Sequence, residues 1–378
     1  MVPLSEVVTL DRKGVHPSEV SPETPYIGLE HIERGGRILP HPQVGDIDLK
    51  SSKFYFFPEH ILYGKLRPNL GKISRPDFAG ICSTDILPLR PHAELDRGYL
   101  AHYLSQPEMI RYATSRTTGV NLPRLSPSSL AKFPIPLPPL GEQRRIAAIL
   151  DQADAIRVKR RKQIEKSDLL LRSIFISMFS DSRNPLVSAG SLFHSFRNGI
   201  SPSKTGHVKF KVLTLSAITR GYFEGSAVKL GLFENPPVQD KTVNVSDFLI
   251  CRGNGNKSLV GAGAFPTCSL DDTVFPDTMI AGDVDDRQVD RIFLDVAWKQ
   301  RMVRDQIESL ARTTNGTYKI NQKTLASVRI SLPMMEQQQS FSRAARKIYL
   351  SRESMVAALD RDDELFASLQ SRAFRGEL

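Results

Sequence analysis

Short apolar runs bounded by turn residues recur along both halves of the chain, the pattern of strands that pack on one or both faces. KFYFF before Pro58, ILYGKL before Pro68 and FAGICSTDILPL are examples in the first half, and VKFKVLTL, KLGLF and DFLICRG in the second. Helical spacing takes over near LAHYLSQPEMIRYA and again near IFLDVAWKQRMVRDQIESLA. Strands clustered ahead of helices predict an α+β domain in each half rather than a regular βαβ alternation.

Two much longer helices are predicted. FPIPLPPL carries Pro134, Pro136, Pro138 and Pro139, so it is stiff and extended and cannot enter a helix until about Leu140. From Glu142 to about Phe179 there is neither proline nor glycine, and these 38 positions would form a rod of roughly 57 Å. Ile146, Ile149/Leu150, Ala153, Ile156, Ile164, Leu170/Leu171, Ile174 and Met178 make a coiled-coil-like seam, weakened by Arg160, Gln163 and Ser167. The second rod runs from about Glu336 to Phe374, with Phe341, Ala344/Ala345, Ile348, Met355, Leu359, Phe366, Leu369 and Ala373 on its apolar side. A rod with one apolar stripe should not stay solvated along it, so the two are expected to pack on each other. Charge agrees. Between 142 and 166 there are eight basic residues against four acidic ones, while the second rod carries the acidic block Asp360, Asp362, Asp363 and Glu364.

The chain also repeats itself. RTTGVNLPRLSPSSLAKFPIPLPPLGEQ, beginning at Arg116, corresponds to RTTNGTYKINQKTLASVRISLPMMEQ, beginning at Arg312. Leu130-Ala131 answers Leu325-Ala326, Leu137-Pro138 answers Leu332-Pro333, and Glu142-Gln143 answers Glu336-Gln337. HILY at 60 pairs more faintly with DFLI at 247. The offset near 195 is too long for a solenoid unit. It predicts a duplicated module, a mixed domain followed by a long helix, with divisions at 1–137, 138–180, 181–333 and 334–378. If a pseudo-twofold axis relates the modules, the rods pair antiparallel.

Composition narrows the function. Fifty-one Lys and Arg against forty-one Asp and Glu leave +10, a surplus that favours polyanionic partners. Three cysteines without a C-x-x-C pair argue against a disulfide framework or a zinc ribbon, and the eight histidines lack metal-ligand spacing. No metal or other cofactor is therefore expected. No run is apolar enough for a membrane span, and MVPLSEVVTLDRK lacks a signal core, so a cytoplasmic protein is expected.

PLPPLGEQRRIAAILDQADAIRVKRRKQIEK, followed by LLLRSIF, resembles the central region of the specificity (S) subunits of type I restriction-modification systems. LFASLQSRAFRGEL resembles their C-terminal region. The second copy departs from the first, with Met334 and Met335 where the first has Pro139 and Leu140. The resemblance implies two target-recognition domains, 1–137 and 181–333, joined by a central spacer helix, 138–180, and a C-terminal one, 334–378. It implies a non-catalytic reader of double-stranded DNA, each domain taking one half of an asymmetric bipartite site, with the helices as a ruler. It also implies two copies of an adenine-N6 methyltransferase subunit as partners, together with restriction/translocation subunits. The alternatives are a solo DNA methyltransferase or nuclease with its own recognition domain, and a helical scaffold whose basic surface is incidental.

The residues offer several DNA contacts. Lys65, Arg67, Asn69 and Lys72 follow HILY, and Arg252, Asn254, Asn256 and Lys257 follow DFLI; these are donor types that reach phosphates and base edges, in segments that otherwise read as solvated loops. Arg116, Thr117 and Thr118, with Arg312, Thr313 and Thr314, form a third candidate, in which glycine permits a tight turn. On the rods, Glu142, Gln143, Arg144, Arg145, Arg157, Arg160 and Arg161, with Glu336 and Gln337, read as a solvated face or partner-docking surface. Asn235-Pro236-Pro237-Val238 imitates the methyltransferase N-P-P-aromatic motif but lacks the stacking ring, so it reads as a surface turn. The glycine-rich CRGNGNKSLVGAGA lacks the order of a phosphate-binding loop.

Overall fold

The computed structural model describes residues 1–119, 121–180, 183–314 and 316–378, and of Thr314 only the backbone. The chain forms two compact units. One comprises Met1–Lys162 with Ala357–Leu378, the other Gln163–Val356. Both cuts fall within long helices, Leu140–Phe179 and Met335–Arg375, so each unit combines strands, short helices and parts of both long ones. The expected start of a domain at Asp181 lies outside the described residues.

In the first unit, one sheet has the order Val8–Leu10, Ile86–Pro91, Ile61–Gly64, Ile73–Ser74, all antiparallel. A second places Gly80–Cys82 between Lys53–Phe56, antiparallel, and Tyr26–Ile27, parallel, with Gly14–Val15 outside Lys53–Phe56. The same arrangement recurs in the second unit. Phe193–Asn198, Met279–Val284, Asp247–Cys251 and Gly263–Ala264 make the antiparallel sheet. Leu270–Val274 lies between Thr242–Val243, antiparallel, and Val208–Leu213, parallel. The fourth strand differs: Gly14–Val15 flanks the antiparallel neighbour in the first unit, whereas Val228–Phe233 flanks the parallel neighbour, Val208–Leu213, in the second. The α+β class expected from the patterning is the one observed. The runs around 54, 62, 210, 231 and 249 are strands, but nothing in the pattern had singled out Phe193–Asn198. Each predicted helical stretch is two helices: Arg97–Leu104 and Pro107–Thr114, then Arg291–Trp298 and Arg301–Leu310. Pro107 enforces the first break because it cannot supply an interior N–H.

The long helices complete the cores. In the first unit Ile146, Ala147 and Leu150 join Leu4, Leu100, Phe133 and Ala373 in one buried cluster, with Phe366 and Phe374 against it. In the second, Leu171 and Phe179 pack with Phe293, Phe341 and Ala345. Within the first unit Arg157 Nε lies 2.5 Å from Asp363 and Arg160 Nε 3.1 Å from Asp362. The Arg157 guanidinium also sits 4.2 Å above the Phe366 ring. Within the second unit Arg352 Nε is 3.4 Å from Asp168. Burial pushes the Asp168 carboxyl above its ordinary value, against the pull of Arg352.

The seam differs in detail from its sequence pattern. Ile156 and Met178 are exposed, at 50% and 39%. Arg157 takes the inward place beside Ile156, stacked on Phe366, and Phe175 and Phe179 take it beside Met178. Of the Leu170/Leu171 pair, Leu171 is buried and Leu170 exposed. Each helix packs on its domain as well as on the other helix, so its buried face is not a single heptad stripe.

Helix ends follow local chemistry. The Pro139 carbonyl accepts from the N–H groups of Glu142 and Gln143. At the other end of the C-terminal helix, Gly376 is left-handed (φ 75°). Its N–H bonds Ala373 O and that of Glu377 bonds Arg372 O, a Schellman stop.

Candidate nucleic-acid interface

In each unit, two of the segments picked out as DNA contacts come together. The strand Ile61–Gly64 runs on into Lys65, Leu66 and Arg67, and this extension lies against the hairpin Thr117–Thr118/Arg124–Leu125. Leu66 pairs with Arg124 as an isolated antiparallel bridge. Lys65 N–H donates to Asp85 O and Lys65 O accepts from Leu125 N–H, both at 2.9 Å. Arg67 N–H donates to Pro123 O at 2.7 Å. The hairpin turns through Gly119 at φ 94°, a left-handed conformation that a side chain would strain.

The second unit repeats this construction. Asp247–Cys251 runs into Gly253–Asn254, which pairs with Thr317–Lys319, itself paired with Arg312–Thr314. Arg252 N–H donates to Thr278 O, and Arg252 O accepts from Ile320 N–H. The bonding pattern sets Lys65 against Arg252 and Arg67 against Asn254. Gly316, at φ 73°, makes the turn here. The result in each unit is a tip of two chain segments rich in cationic and hydroxyl side chains.

The tips differ in what their side chains are already doing. In the first, Arg67, Asn69, Arg116 and Thr118 are exposed. Arg116 stacks 3.4 Å above the Tyr112 ring and donates to Tyr112 O. Lys72 departs from expectation, because its Nζ donates to Leu29 O at 2.6 Å and so ties the chain internally. In the second, Asn256, Lys257, Arg312 and Thr313 are exposed. Lys257 Nζ lies 5.9 Å from the Tyr318 ring centroid. Asn254 Oδ1 accepts from Asn256 N–H, Asn256 Oδ1 accepts from Ser258 N–H, and Arg252 Nη1 donates to Asp277 O. Beneath this loop Arg304 Nη2 donates to Ser258 O and Val260 O, and burial lowers the affinity of its guanidinium for the proton. Burial likewise pushes the Cys251 thiol up to about 11. The Thr314 side chain lies outside the described residues.

Sequence reading passed over Arg124, which is half-exposed on the returning hairpin strand and bonded to Asp85, and Lys319, exposed on the matching strand. Both stand a few residues beyond the hairpin glycine. Recognising RTTG and RTTNG as hairpins would have brought them in.

The candidates on the long helices have mostly internal partners. Gln143 is fully buried. Its Oε1 accepts from Asp96 N–H, and its Nε2 donates to Glu94 O and Pro138 O. In the second copy the same work is done by Gln338, whose Oε1 accepts from Asp290 N–H while Nε2 donates to Pro333 O. The match of Gln143 with Gln337 is therefore one residue out of register. Gln337 and Glu336 are exposed, and three successive glutamines, Gln337 to Gln339, left the sequence without a means of choosing. Arg145 forks onto Glu142 at 2.8 Å and holds that carboxyl below its ordinary value. Arg157, Arg160 and Arg161 all reach Asp362 or Asp363. Arg144 is exposed. Asn235–Val238 lies in an exposed loop with Val238 63% exposed. Among the described residues no cluster of three or more His, Cys, Asp or Glu could hold a metal, and no helix is long and apolar enough to cross a membrane.

Comparison with known proteins matches this architecture. Residues 1–166 match the family of the type I restriction modification DNA specificity domain. The chain is 22% identical over 325 residues to the type I restriction enzyme EcoKI specificity subunit of Escherichia coli (strain K12). It is 26% identical over 324 residues to the StySPI specificity subunit of Salmonella potsdam. Each alignment spans 80% of this chain and 69% of the relative. The crystal structure of the type I restriction-modification system S subunit from M. genitalium superposes with a TM-score of 0.52 at 14% identity, covering 98% of this chain and 95% of that one; it shows a shared fold. The resemblance read from the residues around Pro136–Phe179 holds: the relatives of this chain are type I restriction enzyme specificity subunits.

Proposed function

We propose that the chain is the DNA sequence-recognition subunit of a type I restriction-modification complex, without catalytic chemistry of its own. Each unit reads one part of a bipartite, asymmetric duplex target, and the tip where the post-strand loop meets the Thr-Thr hairpin makes the contact. One observation carries this reading. Two segments far apart in sequence, each chosen for its donor side chains, are bonded together at the same place in both units. Segments 1–137 and 181–333 act as the recognition domains, and 138–180 with 334–378 as spacers. The common strand order supports an internal repeat, whose two copies we relate by a pseudo-twofold axis. An antiparallel, coiled-coil-like helix pair is supported by partners that run in opposite senses, Arg145 with Leu378 and Arg157 with Asp363. The helices set the interval between the two parts of the site. Their outward faces, including Arg144 and Glu336, dock two adenine-N6 methyltransferase subunits, to which restriction/translocation subunits join.

Methylation mapping in a host that expresses the chain with its methyltransferase tests the proposal. The expected outcome is one motif of two unlike parts separated by a fixed gap, with only one part altered when residues 1–135 are exchanged for another such domain. Methyl transfer by the purified chain alone, or binding indifferent to sequence at moderate salt, would overturn it.

A further inference from the structure

Arg67 stands apart from every other residue of the two tips. Among the described residues it is the only non-glycine with a positive φ, at 50° with ψ 60°. Asn254, its counterpart by strand pairing in the second unit, has no positive φ. There the chain enters its 3-10 turn two residues later, at Asn256, so the first unit turns directly at Arg67 where the second uses two further residues. The backbone at Arg67 is held on both sides: its N–H donates to Pro123 O, its C=O accepts from Leu70 N–H, and Pro68 follows. Its side chain is exposed and makes no hydrogen bond or ion pair among the described residues. The neighbouring cations are engaged, Lys72 with Leu29 O, Arg124 with Asp85 and Arg116 over Tyr112. Strain of this kind persists only where surroundings impose it, and it gathers where a side chain must be aimed. A phosphate contact needs no such aim, since a flexible cation on a flexible loop serves it equally well. A guanidinium fork laid along a base edge does need it, because both N–H groups must meet O6 and N7 of guanine together.

We propose that Arg67 is a base-reading residue, recognising a guanine in the part of the target read by the first unit. This rests on the recognition function proposed above and assigns it a specificity-determining side chain.

The full chain, expressed with its methyltransferase, is compared as wild type, Arg67→Lys and Arg67→Gly by methylation mapping and by selection from random duplex DNA. Lysine keeps the charge and loses the fork; glycine accepts the left-handed backbone, so folding is preserved. Both variants should lose discrimination at a single G·C pair by about ten- to a hundred-fold, leaving the other positions and the second half-site unchanged. A lysine variant with an intact motif, a uniform weakening over all sequences, or relaxation at an A·T pair overturns the assignment while leaving the recognition function standing. A wild-type chain with no motif removes both.

Discussion

Single side chains decide more here than their number implies. Arg67 holds a left-handed backbone that costs an L-residue roughly 1–2 kcal/mol, so Arg67→Gly should raise the unfolding midpoint by the equivalent of about 0.5–1 kcal/mol, after allowance for glycine's looser unfolded chain. A fall in midpoint would show that the conformation is not strained. Gln143 and Gln338 each satisfy the N–H at the head of a domain helix, that of Asp96 or Asp290, and the prolyl carbonyl ahead of the long helix, Pro138 O or Pro333 O; Gln143 also donates to Glu94 O. Replacing either by alanine strands these groups and should cost about 2–3 kcal/mol, whereas Gln337→Ala should stay within about 0.5 kcal/mol; urea denaturation distinguishes them. Asp151 gives a dependence on pH. Burial pushes its carboxyl up, but hydrogen bonds from His102 and Arg75 outweigh that and hold it well below its ordinary value. Its contribution to stability is therefore complete above the unfolded value near 4 and is lost as pH falls through the depressed folded value. Below about pH 4 the wild type should lose stability more steeply than Asp151→Asn, as followed by acid titration of the fold.

Among elements, the long helices concentrate the consequences. Arg160 and Asp362 are both mostly covered and 3.1 Å apart, and a double-mutant cycle between them should return about 0.5–1 kcal/mol of coupling that diminishes with added salt. The aromatic cluster of Phe175, Phe179, Phe293 and Phe341 is a different matter. Phe341→Ala should cost about 3–5 kcal/mol, while Leu350→Ala, at a side chain 61% exposed, should change little. Both helices were legible because the absence of proline and glycine over some forty residues leaves the backbone little alternative. Which residues faced inward was less legible. A seam drawn at heptad spacing selected Ile156 and Met178, yet a stacked arginine and two phenylalanines fill those places, because each helix packs on a domain and on another helix together.

For the whole molecule, the doubled architecture predicts that interval and identity of the target separate experimentally. Adding seven residues within 150–165 and a matching seven in the second helix should lengthen the gap between the two parts of the methylated motif without changing either. An unchanged gap in the methylation map rejects the helices as a ruler and leaves the reading tips untouched. The repeat that motivates this test was visible in RTTG and RTTNG, but what those segments are for was not. A hairpin stabilised by pairing to a loop about sixty residues upstream leaves no local trace, so loop and hairpin read as separate candidates. Lys72 shows the opposite failure, a cation of the right type whose ammonium is spent on a backbone carbonyl.

Local rules were sufficient for what repeats or excludes. Proline placement fixed where the central helix begins, hydrophobic spacing gave the α+β class, and the recurrence of short words near an offset of 195 exposed the duplication, since each depends on neighbours within a turn or a strand. Long-range pairing alone decided which glutamine anchors the second helix, which cations remain available, and that Arg67 rather than Asn254 carries the left-handed backbone. Those outcomes depend on hydrogen bonds between segments tens of residues apart, and composition does not encode such partners.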